Sequence, residues 1–127
     1  MPSQKVLIID DEPDIQRLLK ALLESAGYTV ASALDSMQAL MIARQVKPDL
    51  MILDIRMPGG GGIKVYERLR INTNFSNTPI LVYTSVPLRD VEPQIHTHPM
   101  TAMLAKPAQP AEILSALEQL LGRARAG

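Results

Sequence analysis

The sequence contains no cysteine, which excludes disulfide bonds, thiolate metal sites and cysteine nucleophiles. It has no excess of either charge, because 13 lysines and arginines balance 13 aspartates and glutamates. A neutral chain gives no electrostatic argument for direct binding to nucleic acid or to an anionic membrane. Long hydrophobic runs are also missing: those at residues 6–9 and 50–53 are far too short to span a bilayer. We therefore expect a soluble, cytoplasmic protein.

The composition is that of a globular domain. Of the 127 residues, 46% are hydrophobic and 20% are charged. We predict a single domain over residues 1–127, with its core at about residues 4–121. Residues 122–127 are expected to be a frayed tail, which would fit a truncated linker to an output domain.

Five short apolar runs alternate with longer amphipathic stretches. The predicted strands are residues 5–9, 28–33, 50–53, 80–83 and 102–104. The predicted helices between and after them are residues 15–26, a helix opening after Asp35, residues 63–70 and residues 110–121. This alternation predicts an α/β fold, a doubly wound parallel sheet in a three-layer sandwich.

Two of the predicted helices have a defined apolar face. In the first, an apolar set follows the spacing of one helix face and Gly27 is a natural stop. That set is Ile15, Leu18, Leu19, Leu22, Leu23 and Ala26. In the second, Asp35 and Gln38 resemble a capping pair, and Met37, Leu40 and Met41 are expected on one side.

The stretch from residue 87 to residue 100 departs from this rhythm. It contains Pro87, Pro93 and Pro99, and an interior proline costs a helix roughly 3 kcal/mol. We predict that the fourth helix is short, broken or displaced. His96 and His98 lie in this stretch, and without a third ligand nearby we expect solvated loop residues rather than a metal site.

Polar residues follow four of the five predicted strands. Asp10, Asp11 and Glu12 follow the first, Asp54 the third, Thr84 the fourth and Lys106 the fifth. Taken singly, these are ordinary helix-capping, turn or surface residues. Ligands of doubly wound sheets, however, bind at the carboxyl ends of the strands. We therefore expect the four ends to form one site.

Carboxylates that converge on one point repel each other unless a cation or a shared proton neutralises them. Oxygen-only ligands indicate a hard cation, Mg²⁺ or Mn²⁺. We predict that Asp10, Asp11, Asp54 and the backbone carbonyl of Arg56 bind this metal. In this interpretation Asp54 attacks phosphorus as a carboxylate nucleophile, while Thr84 and Lys106 contact the phosphoryl oxygens. The predicted catalytic residues are therefore Asp54, Thr84 and Lys106.

Four motifs in order resemble the receiver domain of two-component response regulators. They are VLIIDDEP at residues 6–13, LDIRMPG at residues 53–59, YTS at residues 83–85 and AKP at residues 105–107. The resemblance implies a flavodoxin-like five-stranded sheet in the order 2-1-3-4-5 and a cis Lys106–Pro107 bond. It also implies that Asp54 receives a phosphoryl group from a phosphohistidine on a sensor histidine kinase or histidine phosphotransfer protein. Such a domain catalyses only its own phosphorylation and dephosphorylation, and it can act through a covalently linked output domain or a phosphorylation-linked homodimer.

The sequence departs from the family pattern at the expected readout. Met103 stands where receivers usually carry an aromatic residue, and residues 59–62 form an unusually glycine-rich loop. Two alternatives therefore remain open. One is a binding or adaptor module whose output is uncoupled from phosphorylation. The other is an aspartyl-phosphate phosphatase, although such hydrolases usually place an aspartate where this chain has Arg56.

Overall fold

The computed structural model describes residues 3–56, 61–95 and 98–126 of the chain. The described strands form a five-stranded parallel sheet in the order β2-β1-β3-β4-β5. The strands are β1 (Lys5–Ile9), β2 (Thr29–Ala33), β3 (Leu50–Leu53), β4 (Ile80–Thr84) and β5 (Thr101–Ala105). The predicted α/β class and strand order are confirmed.

Helices cover both faces of the sheet. They are α1 (Pro13–Ser25), α2 (Ser36–Val46), α3 (Gly61–Ile71), α4 (Leu88–Val91) and α5 (Pro110–Ala126). Buried residues of α1 and α5 pack with one face of the strands, and buried residues of α2, α3 and α4 pack with the other. Successive residues of β1 belong alternately to the two clusters, which explains why this interior strand is apolar along nearly its whole length.

The first helix begins with Pro13 and is followed by Gly27, whose φ of +97° suits the predicted stop. Its buried residues are Gln16, Leu19 and Leu23. The prediction for Leu18 is wrong, because this side chain is 69% exposed. Each residue turns a helix by about 100°, and Leu18 lies on the far side of the helix from the buried Gln16 and Leu23.

The second helix has the predicted cap but not the predicted face. The N–H of Gln38 donates to Asp35 Oδ1 at 2.8 Å. Met37 is 88% exposed, whereas Ala39 and Ala43 are buried against the sheet. Residues 39–43 are apolar throughout, so no polar residue in the middle of the helix marks which side faces the sheet. The small alanines let it lie close to the strands.

The segment after β4 has the predicted broken helix. α4 has only four residues, with Pro87 before it and Pro93 after it. Val91 and Ile95 are nevertheless buried in the core, so they anchor the segment. His96 lies outside the described residues.

Other sequence boundaries need correction. Gly61 and Gly62 begin α3 instead of ending a loop, while residues 59 and 60 lie outside the described part of the chain. α5 continues to Ala126, five residues beyond the predicted end of the core at residue 121. Arg123 in this added turn donates to the Pro99 carbonyl at 3.2 Å. No helix among the described residues is long and apolar enough to cross a membrane.

Candidate functional site

The topology brings four strand ends to one edge of the sheet. β1, β3, β4 and β5 are neighbours in that order. Backbone pairing continues just past the strands: Asp54 N–H donates to Ile9 O at 2.9 Å, and Lys106 N–H donates to Thr84 O at 2.9 Å. The residues that carry the predicted chemistry are therefore held by the sheet itself and not by a free loop.

These residues are largely removed from solvent. Asp10 and Asp54 are each 2% exposed, and Thr84 is fully buried. The side chain of Lys106 is 8% exposed. Burial of an ionised side chain is unfavourable unless it has a partner of opposite charge. The aspartates and the lysine must therefore be considered together.

Lys106 is the shared partner of the carboxylates. Its Nζ donates to Asp10 Oδ2 at 2.8 Å. The same Nζ lies 3.6 Å from Asp54 Oδ2 and 3.7 Å from Glu12 Oε1. It also lies 5.7 Å from the centre of the Tyr83 ring, a cation–π distance. The ammonium group thus links the ends of β1 and β3 from its position after β5.

The polar side chains at the strand ends are oriented by short turns. Asp10 Oδ1 accepts from Glu12 N–H at 2.9 Å, and Asp54 Oδ1 accepts from Arg56 N–H at 3.2 Å. Thr84 Oγ1 accepts from the N–H of the second residue after it at 3.2 Å. These are the local turns that Asp and Thr commonly form. In both aspartates one oxygen is used by the turn and the other lies near Lys106.

The site holds more negative than positive charge. Burial raises the pKa of Asp10, the hydrogen bonds from Lys106 and Glu12 oppose this, and the charge of Asp54 adds to it. Burial alone would lower the pKa of Lys106, but Asp10, Asp54 and Glu12 together raise it. The two shifts differ in origin: burial is the main cause for Asp10, whereas the carboxylates around the ammonium group are the cause for Lys106. A second cation would relieve this excess.

The donor set fits a hard divalent cation. Carboxylate oxygens of Asp10, Asp11, Glu12 and Asp54 all lie within 4.8 Å of one another. These are oxygen ligands only, the type that Mg²⁺ and Mn²⁺ prefer. The structure thus brings together three of the predicted metal-binding carboxylates. Arg56, whose carbonyl is the fourth predicted ligand, lies two residues beyond Asp54 on the exposed side of the turn.

Comparison with known proteins identifies the family. The model of the response regulator receiver domain family matches residues 6–118. The chain belongs to this family. It is 36% identical over 121 residues to the DNA-binding dual master transcriptional regulator RpaA of Synechocystis sp.. The aligned region covers 94% of this chain but 49% of RpaA. The receiver domain therefore spans about half the length of that curated relative.

Solved structures of similar receivers cover nearly the whole chain. The chemotaxis response regulator CheY4 of Vibrio cholerae has a TM-score of 0.85 at 29% identity, covering 94% of this chain and 99% of CheY4. The receiver domain of the sensor histidine kinase PA1611 from Pseudomonas aeruginosa PAO1 has a TM-score of 0.85 at 28% identity, covering 95% and 99% of the two chains. That structure has a magnesium ion coordinated in its active-site cleft.

Two further expectations for a receiver domain can be checked in this chain. The Lys106–Pro107 bond is cis, as the resemblance implied. Met103, at the position of the usual aromatic residue, is partly buried and packs against the core on the α2–α4 side of the sheet. Its flexible, unbranched side chain fills space that a rigid ring would otherwise occupy.

Sequence reasoning missed three residues that bear on the site. Glu12 was noted only as a neighbour of the aspartates, yet it is an ionic partner of Lys106. Gln16 is a buried polar residue in α1 that contacts the backbone of Asp10. Gly62 lies against the backbone of Asp54 and Ile55, where an added Cβ would come within 2.6 Å of Ile55 Cα. Gln16 lies outside the predicted apolar set of this helix, so the sequence pattern carried no signal for its burial.

Proposed function

We propose that this receiver domain accepts a phosphoryl group on Asp54. The observation that carries the proposal is the position of Asp54 Oδ2, 3.6 Å from Lys106 Nζ in a buried acidic cluster. Asp54 Oδ1 is occupied by the Arg56 N–H, which leaves Oδ2 as the available nucleophile. A carboxylate in this setting can form an acyl phosphate.

The reaction transfers a phosphoryl group from histidine to aspartate. Asp54 Oδ2 attacks phosphorus, so an O–P bond forms as the N–P bond of the phosphohistidine breaks. The electron pair of that bond stays on the imidazole nitrogen, which takes up a proton from solvent. Lys106 donates a hydrogen bond to the incoming phosphoryl oxygens. The Thr84 hydroxyl, at the end of β4, donates to the same oxygens. Such fixed donors stabilise charge where it is redistributed.

The acidic residues divide the remaining work. Asp10, Asp11, Asp54 and the carbonyl of Arg56 would hold Mg²⁺ or Mn²⁺, in keeping with their oxygen-only chemistry. When bound, the ion neutralises charge on the phosphoryl group. Before phosphorylation Asp10 keeps Lys106 in place through the 2.8 Å hydrogen bond. The domain thus catalyses its own phosphorylation and dephosphorylation, without turnover of a separate substrate.

The donor we propose is a sensor histidine kinase or a histidine phosphotransfer protein. The length comparison supports an output function that lies outside the receiver domain. RpaA is about twice as long as the region that it shares with this chain. We propose that phosphorylation alters contacts with a linked output domain, a separate partner or a second receiver. Direct nucleic-acid binding is not assigned to this domain, whose net charge is zero.

The test is incubation with Mg²⁺ and acetyl phosphate, followed by mass spectrometry. We expect an acid-stable, base-labile adduct in the wild type that is absent from Asp54→Ala. Asp90→Ala is the matched control, since Asp90 is an exposed aspartate in α4. Absence of an adduct in the wild type, with acetyl phosphate and with a phosphohistidine donor, would refute the proposal.

A second candidate is a receiver whose output does not depend on phosphorylation. It is favoured by the four-residue α4 and by Met103 in the core. Backbone amide shifts before and after phosphorylation distinguish the two. Changes confined to residues next to Asp54 would support the uncoupled module. Changes that reach α4 and β5 would support a phosphorylation-dependent output.

A further inference from the structure

Gln16 is a buried polar residue beneath the site. It lies on the face of α1 that packs against the sheet and is 7% exposed. Its Nε2 lies 3.1 Å from Ile8 O, 3.0 Å from Asp10 O and 3.1 Å from Ala33 O. An amide nitrogen has two hydrogens, so these three carbonyls share them. One side chain therefore joins α1 to the ends of β1 and β2.

The contacts of Gln16 complete the fixation of Asp10. The Asp10 N–H donates to Ala33 O at 3.1 Å, and the Asp10 carbonyl accepts from Gln16. The two carboxylate oxygens accept from Glu12 N–H and from Lys106 Nζ. Every polar atom of Asp10 thus has a partner within the fold. Gln16 supplies the bond to its carbonyl, at the peptide link that leads into Asp11.

The amide is retained at a cost. Gln16 Oε1 is buried and has no hydrogen-bond partner among the described residues. An unpaired buried oxygen is destabilising, whereas a methionine would fill a similar volume without a polar atom. The need for a hydrogen-bond donor at this point, rather than for an apolar side chain, therefore explains why residue 16 is a glutamine.

We propose that Gln16 is a positioning residue for the metal-binding end of the site, holding the Asp10–Asp11 backbone so that both carboxylates are preset for a divalent cation. This inference rests on the proposed function, in which Asp10 and Asp11 bind that cation. Loss of a group that orients metal ligands typically lowers metal affinity about 10–100-fold. Gln16 acts through the ligand backbone and does not touch the metal.

The experiment compares Gln16→Met with Leu23→Ala. Leu23 is buried on the same helix face, in the apolar cluster on the α1 and α5 side. Mg²⁺ is titrated into each protein and followed by backbone amide shifts. We expect Gln16→Met to weaken Mg²⁺ binding roughly tenfold, while Leu23→Ala keeps the wild-type affinity although it is less stable. In metal-free protein the Asp10 amide should exchange with solvent faster in Gln16→Met than in Leu23→Ala.

Each outcome separates this inference from the proposed function. Wild-type affinity and wild-type exchange at Asp10 in Gln16→Met would overturn the role of Gln16 and leave the acceptor site untouched. Failure of the wild-type domain to bind Mg²⁺ would overturn both. Should Gln16→Met not fold, Gln16→Leu removes the same donor with a side chain of similar helix propensity but different shape, and the same comparison applies. Equal losses in the Gln16 and Leu23 variants would also refute a positioning role.

Discussion

Two cations lie at opposite ends of the sheet, and their surroundings differ. Lys106 follows β5 at the carboxyl end, and Arg70 donates to carbonyls that precede β4 and β5 at the amino end. Each lies near a tyrosine ring, at 5.7 Å for Lys106 and 5.4 Å for Arg70. Lys106, however, is surrounded by carboxylates, whereas the acceptors around Arg70 are neutral oxygens.

The contacts of Arg70 form a closed network. Its guanidinium donates to backbone carbonyls and to two hydroxyl groups. The carbonyls are those of Phe75, Ser76, Thr78 and Met100, and the hydroxyls are those of Tyr66 and Thr101. These acceptors belong to α3 itself, to the loop between α3 and β4, and to the start of β5. The network therefore joins α3 to the sheet and has no place for a second cation.

The comparison separates a cation expected to take part in the reaction, Lys106, from a cation expected to stabilise the fold, Arg70. The carboxylates around Lys106 exceed its single charge, so a further cation would be favourable beside them. In the proposed function Lys106 would transfer its contacts to a phosphoryl group. The oxygens around Arg70 are neutral, and most of them are backbone carbonyls held in place by the fold. Exchange of Arg70 for another cation would not stabilise them further. We therefore expect changes at Lys106 to alter reactivity and changes at Arg70 to alter stability.

The largest expected effect follows Lys106→Met. Removal of the ammonium beside Asp54 should slow phosphorylation by acetyl phosphate roughly 10²–10³-fold, as loss of a fixed donor to transition-state charge does. The rate of adduct formation at saturating Mg²⁺ measures this. Folding, checked by circular dichroism, should be retained. A rate within a few-fold of the wild type would show that Lys106 has no part in the reaction.

Arg70→Met should have the opposite profile. Loss of the guanidinium leaves several carbonyls without donors, and we expect the free energy of unfolding to fall by about 2–3 kcal/mol. Urea denaturation measures the change. Below the unfolding transition the phosphorylation rate should match the wild type. A slow reaction in the folded Arg70→Met protein would mean that the two ends of the sheet are coupled, contrary to the comparison.

The smallest effect concerns His98, which lies near Arg70. Burial lowers the pKa of His98 below its ordinary 6.5, the charge of Arg70 lowers it further, and a hydrogen bond involving the Ser76 backbone partly opposes them. His98 Nδ1 accepts from Met100 N–H at 3.0 Å, so protonation would remove this bond. Because the unfolded chain binds the proton more readily, this contribution to stability is complete above pH 6.5 and is lost as the pH falls through the folded pKa.

His98→Asn checks this contribution. Asparagine does not titrate, and its side-chain oxygen can still accept from Met100 N–H. Urea denaturation over about pH 5.5–7.5 should show a smaller loss of stability at the acidic end in the variant than in the wild type. All other ionisable groups are the same in both proteins, so their contributions cancel in the difference. Parallel pH profiles would show that His98 makes no such contribution.

The carboxyl end of the sheet was the more predictable of the two regions. Alternating apolar and amphipathic segments give the strands, and the residue after each strand can then be read directly from the sequence. Asp10, Asp54, Thr84 and Lys106 could be located in this way because parallel strands end at one edge. Their roles as acceptor, hydroxyl and phosphate-binding residues remain predictions.

The network of Arg70 could not be found in the same way. Its acceptors are mostly backbone carbonyls, which every residue carries and which leave no mark in the sequence. Gln16 was missed for the same reason. The exposure of Met37 follows from a continuous apolar run in α2, where only close packing on the sheet selects the buried side. The sequence therefore indicates ionic and apolar partners more readily than backbone ones.

Gly62 belongs to the site although it has no functional group. It donates its N–H to Ile55 O at 2.8 Å, and any Cβ at this position would collide with the backbone of Asp54. Every missense change in its codon adds atoms where that backbone already lies. We therefore expect variation among homologous sequences to be as restricted at position 62 as at Asp54, the proposed acceptor. A substitution there would displace the backbone of the site without changing any of its functional groups.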